Sequence, residues 1–329
     1  MNEIVKLFKK ILEIESISGK EKKILRFLKT YIEKLNFRVF MQKIGNLIIN
    51  PKANFWIITH VDTVKPKRSF EFKGDFIYGT GASDAKGQVL SILLFLKEIK
   101  KLNLGVCFTV DEEETGKGSK YLAKTISPRK ALVLEPTSLK IVKEHFGNIE
   151  VEVKVKGKSV HPAFSNKGKN AIEESCLLVK KLKDRLKGTL ISLYGLKTNF
   201  SEYVIPDECK LNLDILIRYK ENIEEIREKI LKISKNFGEI KIREQTQPFL
   251  CDEEIIQFLK KAFYKKKVRP KYTQMRSWTD ACNLKKANWK VCVWGPGELV
   301  SAHTKDEKIN LKEIIFTKDI LKIINSMLS

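Results

Sequence analysis

The sequence predicts an α/β protein: a domain built on a mainly parallel sheet, interrupted by an inserted ferredoxin-like α+β domain. Three observations predict it. Over residues 1–142, short apolar strand-like runs alternate with helix-like segments, the order that packs helices onto a parallel sheet. Over 143–247 the strands alternate apolar and charged residues, and the order β-α-β-β-α-β is the split motif of ferredoxin-like folds. Beyond 248 the α/β character returns. Residues 1–142 and 248–329 therefore form one domain and 143–247 the insert. A chain of 329 residues, 43% hydrophobic, can fill two such cores.

Taken in order, residues 2–15 and 20–35 read as amphipathic helices. Ser18-Gly-Lys-Glu21 has capping-box spacing for the second. Residues 37–42 and 46–49 read as strands that turn at Gly45. Residues 54–59 form a buried strand that ends at His60. A short hairpin over 70–78 leads into Gly79-Thr-Gly-Ala-Ser-Asp-Ala-Lys-Gly87, a glycine-rich loop carrying Asp84, and then a helix to about Lys101. Residues 106–110 form a strand that delivers Asp111-Glu112-Glu113-Glu114. Gly116-Lys-Gly118 opens another helix, and the strand 131–134 delivers Glu135. In the insert, 148–157 alternates Ile149, Val151, Val153 and Val155 with Glu and Lys, a half-exposed strand. A helix over 170–186, strands over 190–196 and 209–219, a helix over 222–237 and a strand over 239–243 complete it. Residues 252–266 are a helix, Ser277-Trp-Thr-Asp280 a polar turn, and 290–294 a strand. Gly295-Pro-Gly297 is a loop that leads to His303, and 308–328 is the closing helix.

The chain has four histidines. His60, Glu113 and Glu135 lie at or just past the ends of apolar strand-like runs, where open α/β sheets place their ligands. A carboxylate on a tight turn, such as Asp84, has two oxygens and can bridge two cations; a phosphate-cradling loop or a plain turn is the alternative for that stretch alone. Two His and three carboxylates suit two zinc ions sharing one Asp. Asp62, two residues past His60, is placed to accept a hydrogen bond from its second ring nitrogen and so fix the tautomer.

The net charge is +23, with 53 lysines against 10 arginines. The lysines are spread over most helices, which argues against nucleic acid as the main partner and fits either composition bias or an acidic protein partner. No apolar span reaches 18 residues, so no membrane helix is expected. The start reads as an amphipathic helix without a signal-peptide core, so the cytoplasm is the expected compartment. The six cysteines form no CxxC pair, and a buried, reduced thiol is expected for each.

With these residues in place, the chain resembles the superfamily of zinc aminoacylases, acetylornithine deacetylases and succinyl-diaminopimelate desuccinylases, to which carboxypeptidase G and tripeptidase-type exopeptidases also belong. The resemblance rests on His-x-Asp (60–62), Gly-x-Gly-x-x-Asp-x-Lys-Gly (79–87), Asp-Glu-Glu (111–113), Glu-Pro-Thr (135–137) and Ser-Ala-His-Thr (301–304), in order along nearly the whole chain. It implies a zinc-binding catalytic domain with an inserted lid and dimerisation domain. His60 and Glu135 would hold one zinc, Glu113 and His303 the other, and Asp84 would bridge them; cobalt and manganese suit similar ligands. Asp62 would orient His60, and Glu112 would be the general base for water attacking an amide carbonyl. A second register, with Glu113 and Glu114 as base and ligand, stays open. His161, in Gly157-Lys-Ser-Val-His-Pro, matches the lid histidine that reaches the partner subunit's site, so a homodimer is implied. Arg218 matches the Arg of the lid's Asp-Ile-Arg strand, and Arg276 is a candidate clamp for a substrate carboxylate. The sequence departs from the family where Tyr203 precedes Val204-Ile-Pro206 without the usual Gly-Gly segment and Asn, and where Trp278 replaces a turn glycine. The implied activity is deacylation of a small N-acyl amino acid, including release of lysine or ornithine from an acidic amino-group carrier protein. An aminopeptidase or dipeptidase with the same metal chemistry is the alternative, and a metal-free binding protein on the same fold the remote one.

Overall fold

A computed structural model describes residues 3–199 and 203–329. Residue 2, placed in the first helix from sequence, lies outside them. The described residues form two compact units, one from 3–143, 251–275 and 279–329, the other from 144–199 and 203–250 with 276–278.

The first unit opens with α1 (Glu3–Glu13) and α2 (Lys22–Lys34), each burying one apolar face. The expected capping box at α2 does not form. The Ser18 hydroxyl donates to Asp62 instead, and Glu21 accepts from the Gly19 and Asp111 backbone N–H groups. A distant carboxylate outcompetes the local cap. The strands β1 (Val39–Met41), β2 (Leu47–Ile49) and β3 (Phe55–His60) follow, then the hairpin of β4 (Glu71–Lys73) and β5 (Phe76–Tyr78). The helix after the glycine-rich loop, α3 (Gly87–Lys97), is shorter than expected and buried on every side from Gly87 to Leu96, as an all-round apolar helix must be. Then come β6 (Gly105–Thr109), α4 (Lys117–Thr125) and β7 (Lys130–Val133).

Strand β8 (Ile141–His145), too mixed in composition to show in the sequence, leads to the second unit. There β9 (Gly147–Lys156), α5 (Ala171–Arg185), β10 (Leu190–Thr198), β11 (Glu208–Ile217), α6 (Ile223–Ser234) and β12 (Gly238–Thr246) form an antiparallel sheet of order β10-β11-β9-β12. That is the ferredoxin-like order. Val151, Val153, Leu211 and Leu213 face Leu178, Leu182, Ile226 and Ile230 of the two helices, so only one face of the sheet is packed.

The chain returns through β13 (Phe249–Leu250), α7 (Glu253–Lys265), β14 (Tyr272–Met275), α8 (Asp280–Lys286) and β15 (Lys290–Val293). The closing helix is split: β16 (Lys308–Asn310) pairs with β5, and α9 (Leu311–Met327) starts only after Asn310, whose side chain accepts from Lys312 N. The main sheet runs β1-β2-β6-β3-β7-β15, parallel from β6 to β15 and antiparallel at β1 and β2. Five cysteines are buried, but Cys176 on α5 is exposed, because the outer face of that helix carries it.

Candidate metal centre

Strands β6, β3 and β7 are adjacent and parallel, and the site grows from their C-terminal ends. His60 is the last residue of β3. Glu112 and Glu113 follow β6 on a turn that Asp111 enters with φ 59°. Glu135 lies two residues past β7, Asp84 comes from the glycine-rich loop, and His303 (φ 63°) comes from the loop after β15.

Asp84 is central. Its Oδ1 lies 3.1 Å from His60 Nε2, and its Oδ2 lies 3.6 Å from His303 Nε2. The Glu113 carboxylate is 2.9 Å from His303 Nε2. His60, Asp84 and Glu135 offer ligand atoms within 4.8 Å of one another, and so do Asp84, Glu113 and His303. The two halves differ in exposure: His60, Asp84 and Glu135 are buried, whereas the His303 side chain is 43% exposed. Glu112 is buried with Oε2 4.0 Å from His60 Nε2, and Glu114 is exposed, which leaves Glu112 and Glu113 as the pair beside the histidines.

Asp62 has more partners than the imidazole. His60 Nδ1 lies 3.0 Å from the backbone carbonyl of Asp62 and 3.5 Å from its carboxylate. That carboxylate accepts from Ser18 Oγ at 2.7 Å and from the Glu112 and Glu113 backbone N–H groups at 3.1 Å each. It anchors the acidic turn as well as facing the imidazole.

Two further carboxylates complete the surroundings. Asp280, at the start of α8, accepts from Thr109 Oγ1 at 2.5 Å, and burial raises its pKa to about 6 against the opposing Ser119 and Thr109 hydrogen bonds. Glu307 accepts from the Gly81, Ser83 and Asp84 backbone N–H groups, and burial raises its pKa to about 7. Asp280 was visible in sequence only as part of a polar turn, and no motif singled out Glu307.

Burial alone would depress the His60 pKa, but Glu112, Asp62, Asp84 and Glu135 outweigh it and hold it well above its usual value. Burial, followed by mutual repulsion, pushes Glu112 and Glu135 well up against the attraction of His60. The cluster is short of positive charge. Glu135 Oε1 is buried with no hydrogen-bond partner among the described residues. A buried orphan oxygen beside crowded carboxylates and two imidazoles fits divalent cations with N and O ligands.

The remaining predicted residues belong to the second unit. His161 is exposed; its Nδ1 accepts from Ala163 N at 3.2 Å, which leaves the proton of the neutral ring on Nε2, and its ring packs edge-on to Tyr203. Arg218 is exposed just past β11, its backbone N–H bonded to Glu221. Arg276 stands over the Phe146 ring at 5.9 Å and lines a cavity of about 140 Å³ with Trp278, Asn148, Glu150 and Asp214.

The sequence profile of peptidase family M20/M25/M40 matches residues 56–324. The chain belongs to this family. It is thus a metal-dependent hydrolase of C–N amide bonds, and the family implies a divalent metal. The chain is 28% identical over 317 residues to the LysW-lysine/LysW-ornithine hydrolase of Saccharolobus solfataricus, covering 92% of this chain and 90% of that protein. Its fold matches a tripeptidase from Staphylococcus aureus (TM-score 0.83, 18% identity, 99% and 97% of the two chains). It also matches an M20 family metallo-carboxypeptidase from Sulfolobus solfataricus (TM-score 0.78, 16% identity, 100% and 99%). No helix of the described residues is long and apolar enough to cross a membrane.

Proposed function

We propose that this M20 hydrolase is a two-metal amidohydrolase that cleaves the amide bond of a small N-acyl amino acid, with zinc as the metal. The observation that carries the reading is Asp84, with one carboxylate oxygen toward each histidine of two overlapping ligand groups. His60, Asp84 and Glu135 would hold one ion, and Asp84, Glu113 and His303 the other. Bound there, divalent ions supply Lewis-acid polarisation of the amide carbonyl and acidify water. Cobalt or manganese would suit the same donors.

Glu112 takes a proton from the attacking water and returns it to the leaving nitrogen. Its burial beside Glu135 and Glu113 favours the protonated form, the direction needed by a group that must hold a proton between two steps. Asp62 keeps the Glu112–Glu113 backbone and the His60 ring in place. His161 Nε2–H would donate to the carbonyl oxygen in the site of a partner subunit. Arg218 and Arg276 would hold substrate carboxylates. The homodimer would form through the second unit, where edge strand β10 exposes Leu190, Leu193, Tyr194 and Leu196.

The named LysW-lysine/LysW-ornithine hydrolases, similar along nearly the whole chain, support a lysine or ornithine moiety released from a carrier protein. A net charge of +23 favours an acidic carrier. Hydrolysis of N-acetyl-L-ornithine by the metal-loaded enzyme, with a chelated control, tests the chemistry. Metal binding without turnover of this substrate moves the assignment to carrier-bound lysine or to dipeptides, the peptidase alternative.

A further inference from the structure

Glu307 takes no step in the proposed chemistry, yet four bonds join it to the loop that carries Asp84. Its Oε2 accepts from Gly81 N at 3.0 Å, and its Oε1 accepts from Ser83 N at 3.0 Å and from Asp84 N at 3.1 Å. Its backbone carbonyl accepts from Gly79 N at 3.2 Å. The loop has turn bonds of its own, Ala82 N to Gly79 O and Lys86 N to Gly81 O, so closing the turn does not require a carboxylate. Gly81 adopts φ +81°, and a Cβ there would lie 2.6 Å from Thr63. Position 81 therefore accepts only glycine without strain. Burying a carboxylate is costly unless several donors meet it. Here the donors are the amides that set the direction of Asp84.

Glu307 also lies four residues past His303, on the segment that Lys67 Nζ holds through the His303 carbonyl at 2.6 Å. One side chain thus ties the loop of the shared carboxylate to the loop of the exposed histidine. We infer that Glu307 is a positioning residue for the two-metal centre: it fixes the backbone of Asp84 so that one oxygen faces each ion, and it couples the Asp84 loop to the His303 loop. This inference rests on the two-metal reading.

The test titrates Zn²⁺ and Co²⁺ into the wild-type chain and into Glu307→Gln, whose NH2 group cannot accept from Gly81 N. It follows stoichiometry, affinity by chelator competition and the visible spectrum of bound Co²⁺. We expect the more weakly held ion to lose roughly 10–100-fold in affinity, with a changed Co²⁺ spectrum. A residue needed only for folding would lower thermal stability and leave the spectrum of the folded protein unchanged, and that result overturns the inference. In parallel, hydrogen exchange of the metal-free wild type reads the Ser83 and Asp84 amides. Protection before metal binding is expected, and exchange at free-loop rates overturns the inference even if the variant does not fold. A wild-type chain that binds no divalent ion sinks the two-metal reading itself; a wild type that binds two ions beside an unchanged variant sinks only the role of Glu307.

Discussion

Each of the two units buries one histidine, and the two rings are opposites. His145 stacks on Phe249 at 4.6 Å and bonds the Phe146 carbonyl through Nδ1, and burial drives its pKa down to about 4. His60 is as deeply buried, yet carboxylates hold its pKa well above the usual value. Burial is the same, so the neighbours decide. The surroundings of His145 reject charge, as a packed core does. The surroundings of His60 gather positive charge, which is what a cation site must do before its cation arrives.

The largest expected effect removes the strongest of those carboxylates. Glu112→Gln should cut kcat by about 10²–10⁴-fold with metal content unchanged, as read by steady-state rates and metal analysis. Loss of metal in that variant would make Glu112 a ligand instead of a base. A finer contrast lies within the centre. Because His303 is half-exposed and on a loop while His60 ends a buried strand, His303→Ala should retain one tightly held ion and His60→Ala should lose that one. Stepwise chelation of the wild type should likewise show two phases, and a single phase would erase the distinction between the halves.

The His145 side of the comparison is a stability prediction. The unfolded ring protonates near pH 6.5 and the folded ring only near 4. The folded pKa is the lower one, so stability is full above about pH 6.5 and falls as pH drops toward 4. The loss attributable to His145 is about 3 kcal/mol. Denaturant unfolding of wild type and His145→Gln across this window should differ by that slope; parallel curves would mean that His145 is not buried neutral. The smallest effect is expected at the exposed end of the acidic run, where Glu114→Gln should change stability by less than about 0.5 kcal/mol and leave metal content alone.

The cluster was legible because the sheet announces itself: apolar runs end at His60, near Glu112 and Glu113, and at Glu135, and the parallel order brings those ends together. The insert was legible from the alternation of β9 and from the element order. What escaped the sequence was set by long-range partners. Ser18 looked like a helix cap and bonds Asp62, 44 residues away. Glu307 belongs to no sequence motif, and it meets amides more than 220 residues earlier. Lys308–Asn310 had helical composition, but the open edge of β5 claims it. Local pattern carries no trace of such choices, because the competing partner lies outside any window.

The unequal exposure of the cysteines makes the chain its own spectroscopic reagent. Five thiols are buried, and Cys176 alone is open, on α5 next to the exposed Leu177. A maleimide dye should therefore react once per chain under native conditions and six times in denaturant. The single label would sit in the second unit without any engineering, where quenching or energy transfer between labelled chains reads out self-association as concentration rises.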